Sequence, residues 1–408
     1  MFQCCMARTL LDPSVVIVDS FDRSKLRADT PGCDHRVHLN NAGSAPSPSV
    51  VTEAIIEHLR LEEAVGGYEA AQARTEQIAT GRAGVARLVN ADADDIAFME
   101  SSTVALHRIL STLPIRRGDR VLVAASEYGS TILPLLQLTR RLGVRLDIIP
   151  DGEDGSLDAS SLDRLLDDDV RAVFAVQCPS HNGLVNDVTA LGRRLRDLGS
   201  HAWYVVDACQ SVGQVPVDVG EIGADFLYAS GRKFLRGPRG TGFLYVAPRA
   251  MAGLDGFPTD VHGGEWTNSD SFQLADTAIR FENFERSYAN FMGLFRAVDY
   301  LQETDQHGVF AAIQRNAEFL RCRIGATPGY QVLDRGAHRS GIVTFVHTRL
   351  TAADVVGALA AASVTASVVR PGINPVDLDG RSTVRLSPHA FNDESDLNLA
   401  LRTLSELS

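Results

Sequence analysis

Residues 202–246, AWYVVDACQSVGQVPVDVGEIGADFLYASGRKFLRGPRGTGFLYV, decide the fold. Three apolar runs stand in this stretch: AWYVVDA (202–208), DFLYAS (225–230) and GTGFLYV (240–246). Each is short, rich in β-branched and aromatic residues and bounded by Gly, Pro or Asp, which reads as a buried strand rather than a helix. Between the last two, GRKFLRGPR (231–239) is too rich in Gly, Pro and charge to be a regular strand, so Lys233 falls in a loop at a strand end. Asp207 closes the first run. In a doubly wound sheet the carboxyl ends of the strands face one crevice, where ligands bind.

Upstream the pattern continues with DRVLVAAS (119–126), VRLDIIP (144–150) and VRAVFAVQC (170–178), alternating with helical periodicity. That alternation predicts a mostly parallel sheet covered by helices. The segment after Asp187 shows how a helix is encoded: Asp187 is a cap, and Val188, Leu191, Leu195 and Leu198 recur at spacings of three and four. Downstream, from 251 to 280, the pattern dissolves into Gly, Pro, Asp and Ser. A helix over 284–303 follows, then a helix over 307–324, strands GIVTFVHT and VTASVVR around a helix at 351–362, a strand STVRLS and a closing helix from Asp393. The expected division is an arm over residues 1–30, a large unit over 31–275 and a small α+β unit over 276–408.

The chain has 408 residues, 45% hydrophobic and 22% charged, enough for a sizeable core. A net charge of -12 argues against a nucleic-acid partner, because phosphate binding needs a basic surface. The six cysteines (Cys4, Cys5, Cys33, Cys178, Cys209, Cys322) form no CxxC pair, so no disulfide scaffold or zinc ribbon is indicated, and a reducing cytoplasm fits. No window approaches the roughly 20 apolar residues of a membrane span, and no metal site is expected.

Asp207 and Lys233, 26 residues apart at the ends of neighbouring strands, are the pair that pyridoxal 5′-phosphate (PLP) chemistry uses. The lysine holds the cofactor as an imine, and the carboxylate keeps the pyridine nitrogen protonated so that the ring accepts electrons. In isolation the same two residues would be read as a turn cap and a surface lysine. Their surroundings carry further motifs: HLNNAGSAPSP (38–48), ESSTVALH (100–107), SEYGS (126–130), DACQ (207–210), SGRK (230–233), GPRGTGFLYV (237–246) and VRLSPH (384–389).

With these motifs in this order the chain resembles the class-V aminotransferase family over nearly all of its length after residue 35. The resemblance implies a fold type I PLP-dependent transferase: an α/β large domain with a mostly parallel seven-stranded sheet, a small α+β C-terminal domain, and a homodimer. It implies Lys233 as the cofactor anchor and Asp207 as its carboxylate, with Tyr128 stacked on the ring and Gln210 donating to the phenolic oxygen. Ser102 and Thr103, at a helix start, look like phosphate ligands, as do Ser230 and Arg232. Arg385 resembles the arginine that grips the α-carboxylate of an amino-acid substrate, and Asn41 and Ser44 fall beside the substrate. Ser180 and His181 stand where desulfurases carry an asparagine motif at the cofactor's edge.

Desulfurases in the family accept sulfur on a cysteine shortly before that arginine, and no cysteine occurs between 323 and 408. VGGYEAA (65–71), SEYG, PSHNG (179–183), SGRKFLRGPRG and RLSPH are instead similar to the C–S lyase of ergothioneine biosynthesis. That resemblance implies β-elimination from an S-substituted cysteine or its sulfoxide, with Lys233 removing the Cα proton and pyruvate and ammonia as products. Related enzymes of lincosamide assembly, which act on S-glycosylated cysteine by elimination or by oxidative decarboxylation and deamination, are the alternative; an idle PLP-binding relative is a third. The segment DGFPTDVHGGEWTNSDSF (255–272) is expected to border the active site or a dimer partner.

Overall fold

The computed structural model describes residues 20–372 and 380–408. Seven strands, β1 (Ile96–Met99), β2 (Arg120–Ala124), β3 (Arg145–Ile149), β4 (Val170–Val176), β5 (Trp203–Asp207), β6 (Phe226–Ser230) and β7 (Gly242–Val246), form one sheet. Its order is β1-β7-β6-β5-β4-β2-β3. All neighbours are parallel except β7, which is antiparallel to both β6 and β1. The seven-stranded, mostly parallel sheet expected from the sequence is therefore present. The order of connections reverses between β2 and β4, and such a reversal opens a crevice at the strands' carboxyl ends.

The strand sequences read as near-continuous apolar runs because both faces are covered. One face packs on the helices Thr75–Leu88, Val188–Asp197 and Tyr288–Glu303, and the other on Ser102–Thr112 and Gly129–Leu142. The helix Val188–Asp197 forms as its spacing predicts. The Asp187 side chain accepts from Ala190 N at 2.8 Å, and Val188, Leu191 and Leu195 are buried in the core. Leu198, the fourth member of the predicted stripe, is 40% exposed because it lies at the C-cap, where the helix has already ended.

An exposed hairpin follows: β8 (Gly264–Asn268) pairs antiparallel with β9 (Ser271–Leu274). Its polar and Gly-rich sequence hid the strands, since neither face is buried in this chain and no apolar alternation is required. Trp266 and Phe272 are 77% and 67% exposed. The hairpin's base is tied down through His262, whose Nε2 lies 3.0 Å from Glu282 Oε2. Glu282 also pairs with Arg82 and Arg286 and accepts from Phe98 N, anchoring the segment to the large sheet.

A second sheet holds β10 (Tyr330–Val332), β11 (Val343–His347), β12 (Ser367–Val369) and β13 (Thr383–Leu386) in the order β10-β11-β13-β12, all antiparallel. It has its own core with the helices Gln306–Ala326, Ala352–Ala361 and Glu394–Ser405. Helix Tyr288–Glu303 buries Phe291, Leu294, Phe295 and Val298 in the core of the large sheet, whereas the small sheet's core gathers Leu39 together with residues from Ala317 onward. Composition marks the exposed hairpin, whereas packing decides where a core ends.

The described part of the 1–30 segment packs on the small unit. Arg23–Ala28 is a helix with Leu26 buried, and Arg27 pairs with Asp396 at 2.6 Å and donates to Phe391 O at 2.8 Å. One buried leucine and two charged contacts to a distant segment give no sequence periodicity. Residues 1–19 of that arm lie outside the described residues. Among the described residues no helix is long and apolar enough to cross a membrane.

Candidate active site

Asp207 ends β5, and the parallel register sets it opposite Val176 of β4 and Tyr228 of β6. Its carboxylate is buried, with Oδ1 accepting from Cys209 N at 2.7 Å. From the end of β6 the chain turns tightly: Gly231 N donates to Thr241 O at 3.0 Å, Gly237 N to Gly231 O at 2.8 Å and Arg236 N to Lys233 O at 2.9 Å. These bonds stand Lys233 at the rim of the same crevice. The loop rests on Gly213, at φ +93°, where a Cβ would lie 2.4 Å from Leu235 N and from Phe234 C. Only glycine fits both the dihedral and the gap, which explains a Gly shortly after DACQ.

A cleft of about 290 Å³ opens between the two units. Of the residues singled out in the sequence, Ser102, Thr103, Tyr128, Ser180, Asp207, Gln210, Arg232, Lys233 and Arg385 all line it. Ser102 and Thr103 begin the helix Ser102–Thr112, whose cap is Ser101, with Oγ accepting from Val104 N at 3.2 Å. A helix that starts in a cleft wall offers its first-turn N–H groups to an anion. Tyr128 is 40% exposed at the N-terminus of helix Gly129–Leu142. Arg232 Nη1 donates to Gly43 O at 2.8 Å, which holds the guanidinium across the cleft mouth. Arg385 comes from β13, in register with Thr344 of β11 and Ser367 of β12, and closes the cleft from the small unit. Its Nη1 donates to Ser180 O at 2.8 Å and its Nη2 to Asn40 Oδ1 at 3.1 Å, while Nε is buried without a partner.

Four expectations depart from this arrangement. Asn41 does not line the cleft; its Nδ2 donates to Ser387 O at 2.7 Å, fastening the 38–48 loop to the small unit. Ser44 also stays outside, with its carbonyl 3.0 Å from His38 Nε2, and Ala42 and Gly43 line the cleft instead. His181 does not line the cleft; its Nε2 lies 3.2 Å from Asn182 Nδ2. Ser230 lies behind the lining, with its Oγ buried and unpartnered. In each case residue type is compatible with ligand binding, but the backbone direction at one position settles which way the side chain points. Gln210 lines the cleft, yet its Nε2 donates to Ala42 O at 2.9 Å, leaving Oε1 buried and unpartnered.

The electrostatics favour anions despite the acidic chain. Arg232, Lys233 and Arg385 converge on a cleft whose floor holds Asp207. Burial lowers the pKa of Lys233, and the neighbouring Arg232 and Arg385 lower it further against the pull of Cys209 and Asp207. Burial, with Arg385 nearby, holds His181 near 4, so it is neutral at physiological pH. Burial pushes the thiols of Cys178 and Cys209, both in the cleft wall, up to about 12, with Asp207 adding to the effect in each.

Reading the sequence missed the layer beneath the lining. Glu127, inside the SEYGS motif, is 1% exposed and carries a carboxyl group under the cleft floor. Thr131 and Tyr228 line the cleft and bond to each other, Oγ1 to Oη, at 3.0 Å. Glu127 stands in the polar turn between β2 and the helix Gly129–Leu142, where no apolar periodicity marks it as buried. Among the described residues no cluster of His, Cys, Asp and Glu could hold a metal ion.

These residues fit PLP: a buried carboxylate on the floor, a lysine at the rim, and the start of helix Ser102–Thr112 with Arg232 at one end. Comparison with known proteins agrees. The model of the aminotransferase class-V family matches residues 37–399. A probable cysteine desulfurase of Methanothermobacter thermautotrophicus is 30% identical over 94% of this chain and 97% of its own length. A probable cysteine desulfurase of Pyrococcus abyssi is 29% identical over 94% and 96%. The fold is shared with an apo cysteine desulfurase of Thermococcus onnurineus (TM-score 0.86, 24% identity, 96% of this chain and 99% of that one). It is also shared with a cystine C–S lyase seen with cysteine persulfide (TM-score 0.84, 22% identity, 92% and 99%). Fold, cleft and family model converge, and the chain belongs to the class-V aminotransferase family of PLP enzymes.

Proposed function

We propose that the protein is a C–S lyase that cleaves an S-substituted cysteine by β-elimination. The observation that carries this reading is the absence of a sulfur-accepting thiol. Among the described residues only Cys178 and Cys209 line the cleft, and burial holds both as thiols, poor nucleophiles. No cysteine follows Cys322 in the sequence. Sulfur therefore leaves with its substituent rather than passing to the enzyme. The names of the relatives, desulfurases and a cystine lyase, support a cysteine-class substrate.

In this reading Arg385 grips the α-carboxylate, with Nε unpartnered and Nη1 and Nη2 exchanging Ser180 O and Asn40 Oδ1 for the substrate. Bound PLP supplies the electron sink for the bond broken at Cα. Lys233, its basicity lowered by burial, takes the Cα proton on Nζ; the electrons of that bond form Cα=Cβ, and the Cβ–S bond breaks with its pair on sulfur. The thiolate or sulfenate leaves, and the released enamine hydrolyses to pyruvate and ammonia. Asp207 would hold the pyridine proton, Tyr128 would cover the ring face, Gln210 would offer its second Nε2 hydrogen to the phenolic oxygen, and Ser102, Thr103 and Arg232 would hold the phosphate. Ser180 braces Arg385 through its carbonyl rather than through its hydroxyl.

For the substrate we favour the sulfoxide of a histidine-betaine cysteine conjugate, which releases a sulfenate, over an S-glycosylated cysteine, on the motifs VGGYEAA and PSHNG. Tyr68 of the first motif is 72% exposed, sets its ring at a tilt to Phe284 with centroids 6.0 Å apart, and lies outside its own cleft. We place it, with the hairpin β8–β9, at the interface of a homodimer. A panel of S-substituted cysteines assayed for pyruvate tests the reaction. Pyruvate in proportion to thiol release is expected; an aldehyde with carbon dioxide, or alanine with persulfide on the protein, refutes the lyase.

A further inference from the structure

Directly under Asp207 lies a second acid that the elimination does not use. Glu127 leaves the end of β2 and is 1% exposed. Its Oε1 accepts from Tyr128 N at 3.0 Å and from Thr131 Oγ1 at 3.3 Å. Thr131 Oγ1 continues to Tyr228 Oη at 3.0 Å, and Tyr228 is the register partner of Asp207. Glu127 Oε2 is buried with no partner. Asp207 faces Glu127 from β5, with Tyr204 of the same strand and Tyr228 of β6 behind it. Cys178, Cys209 and Lys233 face Asp207 from the cleft side. Among the described residues no cation pairs with Glu127, and a buried carboxylate without one is costly, so the neutral acid is the favoured form.

We propose that Glu127 is a positioning residue for the cofactor ring, a proton-bearing acid at neutral pH that leaves Asp207 as the single negative charge under the cleft. Its neutral carboxyl steadies Tyr128 and the Thr131–Tyr228 pair; loss of its proton adds a second negative charge beside Asp207 and strengthens the hold on the ring nitrogen's proton. Burial, then Asp207, raises Glu127 to about 8, against its bonds to Tyr128 and Thr131, so the change falls within an accessible pH range. This inference rests on Lys233 and Asp207 as the cofactor's anchors.

The test is to titrate the absorbance of the PLP-loaded protein from about pH 6 to 10, in the wild type and in Glu127→Gln, which keeps the acceptor for Tyr128 N but cannot ionise. The wild type is expected to show an ionisation near the Glu127 value in addition to that of the lysine imine, and the Gln variant to lose it while keeping its thermal midpoint. A purely structural role would leave the two titrations alike, and identical profiles overturn the proposal. Should the variant not fold, infrared spectra of the wild type decide: a protonated-carboxyl stretch that vanishes as the pH is raised supports it, and no such band overturns it. A wild type with no imine band at all sinks the anchor assignment itself and this inference with it.

Discussion

Arg385 carries the most quantitative expectation. Burial pushes its guanidinium down to about 10, because the side chain is 8% exposed and its nearest charged neighbour of the same sign is Arg232. At about 1.4 kcal/mol per pH unit, that burial leaves roughly 3 kcal/mol of solvation unmet in the free enzyme. Two carbonyl-type oxygens, Ser180 O and Asn40 Oδ1, meet part of its donor capacity, and Nε has none. A substrate carboxylate restores the balance, so it contributes about the same 3 kcal/mol, or roughly 100-fold in affinity. Arg385→Ala is therefore expected to lower kcat/KM on an S-substituted cysteine about 100-fold, mainly through KM. Arg385→Lys keeps the charge but loses the planar fork, and about ten-fold is expected. The decisive assay compares binding of the substrate analogue with and without its carboxylate. The wild type should prefer the acid about 100-fold and Arg385→Ala should show no preference. An alanine variant that discriminates as the wild type does would refute the carboxylate assignment.

Lys233→Ala should abolish the imine absorbance and turnover together; normal turnover on addition of PLP would remove Lys233 from its role as anchor and base. Gly213→Ala forces a positive-φ site and a contact of 2.4 Å with the backbone of the Lys233 loop, so a loss of about 1 to 3 kcal/mol in stability with weakened PLP retention is expected by thermal melts and absorbance. Glu282 is wholly buried; burial alone would raise its pKa, but the His262 hydrogen bond and the charges of Arg82 and Arg286 hold it well below the ordinary range. Its stabilisation is thus fully present above its unfolded value near 4.5 and lost as the pH falls further. Glu282→Gln should cost about 3 to 5 kcal/mol at neutral pH and flatten the acid limb of the stability profile, as read by denaturant unfolding at several pH values.

Where a side chain does one local job, the sequence by itself determined the outcome. The apolar runs at 119–126, 170–178, 202–208 and 225–230 are strands because continuous β-branched sequence between Gly and Asp punctuation has few other stable forms. Asp207 and Lys233 were legible for the same reason, since a strand end and the loop after its neighbour must open on one crevice. The tertiary structure alone decided four other things. It turned Asn41, Ser44 and His181 out of the cleft, because side-chain direction depends on backbone dihedrals that residue type does not fix. It took helix Tyr288–Glu303 into the large unit, because a helix that is apolar on several sides packs where the largest apolar surface is on offer. It set Arg385 across from Lys233 over 152 residues of chain, through the pairing of β13 with β11 and β12. And it brought Glu127 close to Asp207, a pairing of two buried acids that no spacing announces, because the two residues meet only where the parallel strands β2, β4 and β5 end together.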